Sequence, residues 1–144
     1  MPWYFLSRTR LKEIDRLRVP DNDAGEQAVP RLCLAPTVWQ SLLAIGGFGI
    51  EYFIHEVEVS SPVPSCFADD AAVTGEHVIT QDMLDAAGGS LPTRCIGRVH
   101  CNAALMNLLH VHRKAGRFPD NPADEKTTVW DIEGDLWTYR VAAS

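Results

Sequence analysis

The sequence predicts an α+β domain, a single compact unit over residues 1–144 with a twisted, mostly antiparallel sheet and two or three short helices. Three observations lead there. Six or so short strand-like segments do not alternate regularly with helices, as a parallel wound sheet would require. A capped helix follows one of those strands directly, in "PTVWQSLLAIGG". The chain also closes on two apolar segments flanking Gly134-Asp135, the Gly-X pair of a two-residue type II′ hairpin.

Taken in order, "PWYFLS" (2–7) is an apolar, aromatic opening suited to a buried strand. In "TRLKEIDRL", Leu11, Ile14 and Leu17 recur every three residues, as on one face of a helix or a loose helical turn. "RVPDNDAGEQAVP" is a polar loop bounded by prolines, and "RLCLA" (31–35) is a strand. Thr37 and Gln40 then have capping-box spacing, in which each side chain bonds the other's orphan backbone N–H. Val38, Trp39, Leu42, Leu43 and Ile45 make the helix, which Gly46-Gly47 stop.

"EYFIHEVEV" (51–59) alternates. Phe53, His55, Val57 and Val59 share one face, and Tyr52, Ile54, Glu56 and Glu58 share the other. "SSPVPSCFADDA" reads as loop, "VTGEHVIT" (73–80) as a strand, and "RCIGRVHC" (94–101) as another. "NAALMNLLHVHRKAG" is helical by periodicity and ends on Gly116; "GRFPDNPADEK" is loop before the closing hairpin.

Composition narrows the function. The chain is 46% hydrophobic with a net charge of −6, which speaks against general nucleic-acid binding, since that needs clustered positive charge. No apolar run reaches the roughly 18–20 residues of a membrane helix. The opening lacks the basic segment and apolar core of a secretory signal, so the expectation is a cytoplasmic protein. Charge is uneven: between Ser7 and Arg18, five basic residues (Arg8, Arg10, Lys12, Arg16, Arg18) face only Glu13 and Asp15, while Asp120–Asp135 holds six acids against Lys126. The basic stretch is either a solvated face or a phosphate-attracting patch.

No metal site is expected. His110 and His112 lie two apart on a helix, about 200° around it, and neither C-x-x-C nor H-E-x-x-H occurs. Cys33, Cys66, Cys95 and Cys101 occur singly and read as small buried hydrophobes or free thiols. "GGFG" (46–49) lacks the lysine and strand-to-helix context of a phosphate loop and reads as a turn. Glu76 stands out, because Gly75 beside it permits close approach of a ligand or a backbone.

The order "PWYFLS", "RLCLAPTVWQSLLA", "EYFIHEVEV", "GEHVI", "IGRV" resembles small mono-ADP-ribosyltransferase-like domains of the rifampin ADP-ribosyltransferase type. The resemblance spans roughly residues 2–100, as an order of elements with little letter-for-letter identity. It implies transfer of ADP-ribose from NAD, as substrate, to a protein or small-molecule acceptor, or hydrolysis of NAD. Glu76 would be the catalytic carboxylate, Thr37 the hydroxyl at the strand–helix junction and Tyr52 an aromatic wall of the nicotinamide pocket. Phe5 stands where the family carries His or Arg; Arg8 or Ser7 are the residues near enough to substitute. That departure keeps a second reading open: a non-catalytic binding or inhibitory module, of phage or mobile-element type, that acts through a partner protein. The acidic tail region and the aromatics Trp130, Trp137 and Tyr139 would serve it.

Overall fold

In the computed structural model, residues 2–17, 30–44, 51–60, 62–64, 75–100 and 103–116 are described, with the backbone of 128–133 and 136–141. Among them, the larger sheet has the order β1 (Pro2–Ser7), β4 (Glu51–Glu58), β7 (Leu91–His100), β9 (Leu136–Val141), β8 (Thr128–Glu133), and β2 (Glu13–Ile14) pairs with β7 off this path. Its neighbours are antiparallel except β7 and β9, which run parallel through Gly97–Trp137, Arg98–Thr138 and Val99–Tyr139. A parallel pair needs a long crossover, and helix α3 (Ala103–Ala115) lies within it. The smaller sheet is β3 (Arg31–Leu34), β6 (His77–Thr80) and β5 (Val63–Pro64), in that order. Tyr4 and Ala35 exchange backbone hydrogen bonds of 2.9 and 2.8 Å and join the two sheets. The fold is thus α+β and mostly antiparallel, with three α-helices among the described residues.

Strand periodicity explains the core. Ile54 and Val99 bury themselves with Trp39, Leu42, Leu105 and Leu109, beneath α1 (Val38–Ser41) and α3. Phe5 and Val57 instead join Ile14, Leu34, Ile79 and Leu84, the last from α2 (Gln81–Ala86). The centre of the sheet is therefore covered on both sides. A bulge between Ile54 and His55 shifts the register, so Ile54 opposes Gly97 and His55 opposes Cys95. Both Ile54 and His55 are buried there. Each large apolar side chain buried this way contributes about 1.5–3 kcal/mol.

Helix starts follow their caps. Thr37 caps α1, which continues as a 3₁₀ turn over Leu42–Ala44. Thr80 caps α2, accepting from the Met83 N–H at 3.3 Å. The sequence reading missed this helix, because six residues with Leu84 as their one buried side chain give no periodic pattern. Helix α3 ends at Gly116, with φ of 69°.

Four expectations need correction. Residues 9–17 are not helical: they are irregular apart from β2, because their backbone groups bond elsewhere. The Leu11 N–H goes to His55 and the Lys12 carbonyl to Thr93. The strand expected over 73–80 begins only at His77; Gly75 is a turn residue with φ of 65°, and 73–74 lie outside the described residues. The strand expected from Arg94 starts at Leu91, drawn out by its pairing with β2. In addition, Val63–Pro64, expected as loop, pairs with β6. The closing hairpin forms with Glu133 opposite Leu136, but Gly134-Asp135, like "GGFG", lies outside the described residues. Among the described residues no helix is long and apolar enough to cross a membrane.

Candidate functional site

Strand β1 ends at Ser7, paired with Phe53, and the chain then turns: the Ser7 hydroxyl accepts the Thr9 N–H at 3.3 Å. Such a short side-chain bond stabilises a turn in place of continued strand. Residues 8–17 next cross the sheet as a strap. The Leu11 N–H donates to His55 Nε2 at 2.9 Å, the Lys12 carbonyl accepts from Thr93 N–H at 3.0 Å, and β2 pairs with β7. Along the strap, between it, the end of β1, the start of β3 and Tyr52, lies a partly open cavity of about 860 Å³, within the range of small-molecule sites.

Its polar lining comes from Ser7, Arg8 and Thr9 at the turn, from Glu13, Asp15 and Arg16 on the strap, and from Arg31 and Tyr52. Its apolar walls include Phe5, Leu11, Ile14, Leu17 and Leu32. Arg8 and Arg16 are exposed, whereas Arg31 is only 3% exposed.

His55 holds the strap. It is fully buried and stacks on Phe5, with ring centroids 4.9 Å apart and planes 14° from parallel. Burial pushes its pKa down to about 4; the Arg10 charge acts in the same direction, and the Phe53 backbone offsets part of the shift. The ring is therefore neutral near pH 7. With Nε2 accepting from Leu11, its hydrogen sits on Nδ1. The sequence offered one signal for this residue, a histidine at an inward position of an alternating strand.

The second cluster lies where β3 gives way to α1. Leu34 pairs with His77, so Glu76 comes just before the strand, near Ala35 and the Thr37 cap. Thr37 accepts the Gln40 N–H at 3.1 Å, and its hydroxyl donates to Gln40 Oε1 at 2.9 Å. The cap is half of the expected box: the glutamine meets the threonine hydroxyl. A Cβ at Gly75 would stand 2.8 Å from two Pro36 ring carbons and 2.9 Å from Gln40 Nε2. What Gly75 admits is Pro36 and Gln40.

Glu76 is half-buried and accepts a hydrogen bond from the Cys33 thiol. Burial pushes that thiol up to about 12, helped by the Glu76 charge and hydrogen bond and opposed by Arg31. Cys33 therefore stays protonated at neutral pH and is a poor nucleophile. Cys33 and Cys95 are free.

The residues singled out from the sequence fall into two groups. Ser7, Arg8 and Tyr52 line one cavity, although Tyr52 is 44 residues from Arg8. Thr37 and Glu76 share the corner beside Gly75 and are not among the cavity's lining. Arg31 connects the two groups, since it lines the cavity and also acts on Cys33. Sequence reasoning missed Arg31, which sits at a strand start with nothing around it in the chain to mark it.

Among the described residues, no group of three or more His, Cys, Asp or Glu is arranged to hold a metal ion. Cys66, Cys101 and the side chains of His112, Trp130, Trp137 and Tyr139 lie outside the described residues. No family model, curated protein or solved structure matches the chain.

Proposed function

We propose that this chain binds NAD in the cavity beneath residues 8–17 and acts as an ADP-ribosyltransferase-like protein, with Glu76 as its catalytic carboxylate. One observation carries the reading: of Ser7, Arg8, Thr37 and Tyr52, the four residues the family resemblance assigns to NAD, all but Thr37 line a single cavity of about 860 Å³. Such a volume suits a large organic ligand. A carboxylate that bonds the ribose hydroxyl stabilises the oxocarbenium-like centre left as nicotinamide departs. For Glu76 to do this, the ribose must extend from the cavity past Arg31 toward Cys33, the thiol that Glu76 bonds. The acceptor would be a protein or a small molecule. The free Cys33 and Cys95 thiols support a cytoplasmic setting.

A second reading has an observation of its own. Phe5, where the family has His or Arg, is 3% exposed and stacked on His55, so it serves the core and offers NAD no charge or donor. On that reading the chain binds without turnover and acts on a partner protein.

Glu76→Gln separates the two. It keeps the side chain's shape and removes its charge, so NAD binding should persist while nicotinamide release falls by on the order of 10²–10³. Fluorescence titration with NAD and a nicotinamide-release assay on both proteins read the two effects. Binding without release by the wild type would favour the partner-binding module, and no binding at all would end the NAD reading.

A further inference from the structure

We infer that the gap between β1 and β3 is a docking site for an extended peptide segment of a partner protein. The segment adds as a strand and hydrogen-bonds to the backbones of Leu6 and Cys33. The inference rests on the partner-binding reading above, whose partner it names by class, and not on NAD.

Residues of an antiparallel ladder alternate between those that bond across to the neighbouring strand and those that face away from it. Tyr4 gives both its N–H and its C=O to Ala35, so it faces away from β4. Leu6, two residues on, therefore faces the same way, while Phe5 and Ser7 bond across to His55 and Phe53. Ala35 faces β1, and by the same alternation so does Cys33, leaving Leu32 and Leu34 to bond β6. Pro64 agrees with this parity: it pairs with His77 on the other side of β6, where no N–H is called for.

A ladder continued from the Tyr4–Ala35 bridge would set Leu6 opposite Cys33 and Arg8 opposite Arg31. Instead, among the described residues no backbone hydrogen bond crosses from β1 to β3 beyond that bridge. Leu6, Arg8 and Arg31 line the cavity. The two strands thus pair at one point and then part. Each turns an N–H and a C=O into the space between them, the pattern that an added strand completes. The chain's own Ala35 already uses this edge of β1. Leu11, Ile14, Leu17 and Leu32 offer apolar surface to side chains of the segment. The exposed Arg8 and Arg16 are balanced by Glu13 and Asp15. The segment that fits is therefore extended, uncharged and apolar at alternate positions.

Random peptides displayed on phage, selected on the full chain, supply the probe, and amide exchange followed by NMR reads where they bind. Selection should return peptides with apolar residues at alternate positions and no central proline. Their binding should slow exchange of the Leu6 and Cys33 amides by about tenfold or more. The Phe5 and Ser7 amides, already in the ladder, should be slow with or without peptide. N-methylating a central amide of the peptide should weaken binding by about tenfold or more. Leu6→Pro should do the same, since it removes the N–H facing the gap and no bond to β4. Should that variant unfold, exchange on the wild type keeps the test. Selection that returns no peptide would overturn the inference. So would peptides that bind and leave the Leu6 and Cys33 amides unprotected, although the partner-binding reading would then stand with its surface elsewhere. Protection of both amides in a protein that ignores NAD would support the inference and refute the NAD reading.

Discussion

The corner around Gly75 and the cavity beneath residues 8–17 both adjoin β3, yet their polar groups are satisfied over different distances along the chain. In the corner the bonds that shape the backbone are local, with Thr37 bonding Gln40 and His77 Nδ1 lying 2.8 Å from the Gly75 carbonyl, and only Glu76 reaches farther, to Cys33. Pro36 and Gln40 come so close to Gly75 that no side chain fits there. Over the cavity the partners are remote: Leu11 bonds His55, 44 residues away, and Lys12 bonds Thr93. Local bonds draw a short segment tightly onto itself, whereas a strap tied to distant strands bridges a gap. The remote ties hold residues 8–17 where they form one wall of the cavity opposite Arg31, Leu32 and Tyr52, while the local caps fix the corner around Glu76.

The strap should break first, and with the largest effect, on acidification. His55 titrates at about 4 in the folded protein against an ordinary 6.5. Between those values the unfolded chain takes up a proton that the folded chain does not. Stability is therefore lost as pH falls from about 6.5 toward 4, by about 3 kcal/mol in all, and this contribution levels off below that. Protonation also turns Nε2 from an acceptor into a donor facing the Leu11 N–H. Urea unfolding at a series of pH values should show the slope, and His55→Gln should flatten it. Hydrogen exchange should show the Leu11 amide released before those of β4 and β7. A Leu11 amide that stays protected at pH 4 would mean that His55 is not what holds the strap.

The same contrast explains what the sequence made legible. Periodicity along a few residues was enough for β1, β3, β4 and α3, and the Thr37–Gln40 spacing located the cap of α1. Each of those features is local. The strap's irregularity was not visible, because Leu11, Ile14 and Leu17 at every third residue fit a helix equally well; the bonds that decide against it come from His55 and Thr93. The parallel pairing of β7 with β9 is hidden for the same reason. Of the site, Ser7, Arg8 and Tyr52 were named from the order of elements, but nothing in the chain shows that Arg31 joins them. A strand-start arginine becomes notable only when the fold buries it.

The corner is tested next by Gly75→Ala. A left-handed φ of 65° disfavours any Cβ, and this one would sit 2.8 Å from the Pro36 ring. The two costs together should reach at least about 2 kcal/mol. Gly88→Ala is the control, because Gly88 has φ of 87° with nothing within 4 Å of its added Cβ, so it measures the backbone cost alone. Thermal unfolding of both variants separates packing from conformation. Equal losses would show that the corner has slack, and the contrast with the cavity would fail on that side.

Thr37→Ala should have the smallest effect and the most local one. It removes the hydroxyl that accepts the Gln40 N–H at 3.1 Å and donates to Gln40 Oε1 at 2.9 Å. An N-cap lost this way costs about 0.5–2 kcal/mol, and α1 has only four residues with which to absorb it. Trp39 and Leu42 remain buried in the core beneath α1 and the turn after it, and that packing should limit the loss to about 1 kcal/mol. Because every bond removed lies within three residues of Thr37, the Leu11 amide should keep its protection in hydrogen exchange. Ligand affinity in the cavity should be unchanged too. A role for Thr37 at the ligand would appear differently: Thr37→Ser, which keeps the cap, would preserve affinity, while Thr37→Ala would weaken it by more than its stability loss explains. That result would add Thr37 to the ligand contacts that the proposed function already asks of Glu76, Arg8 and Tyr52.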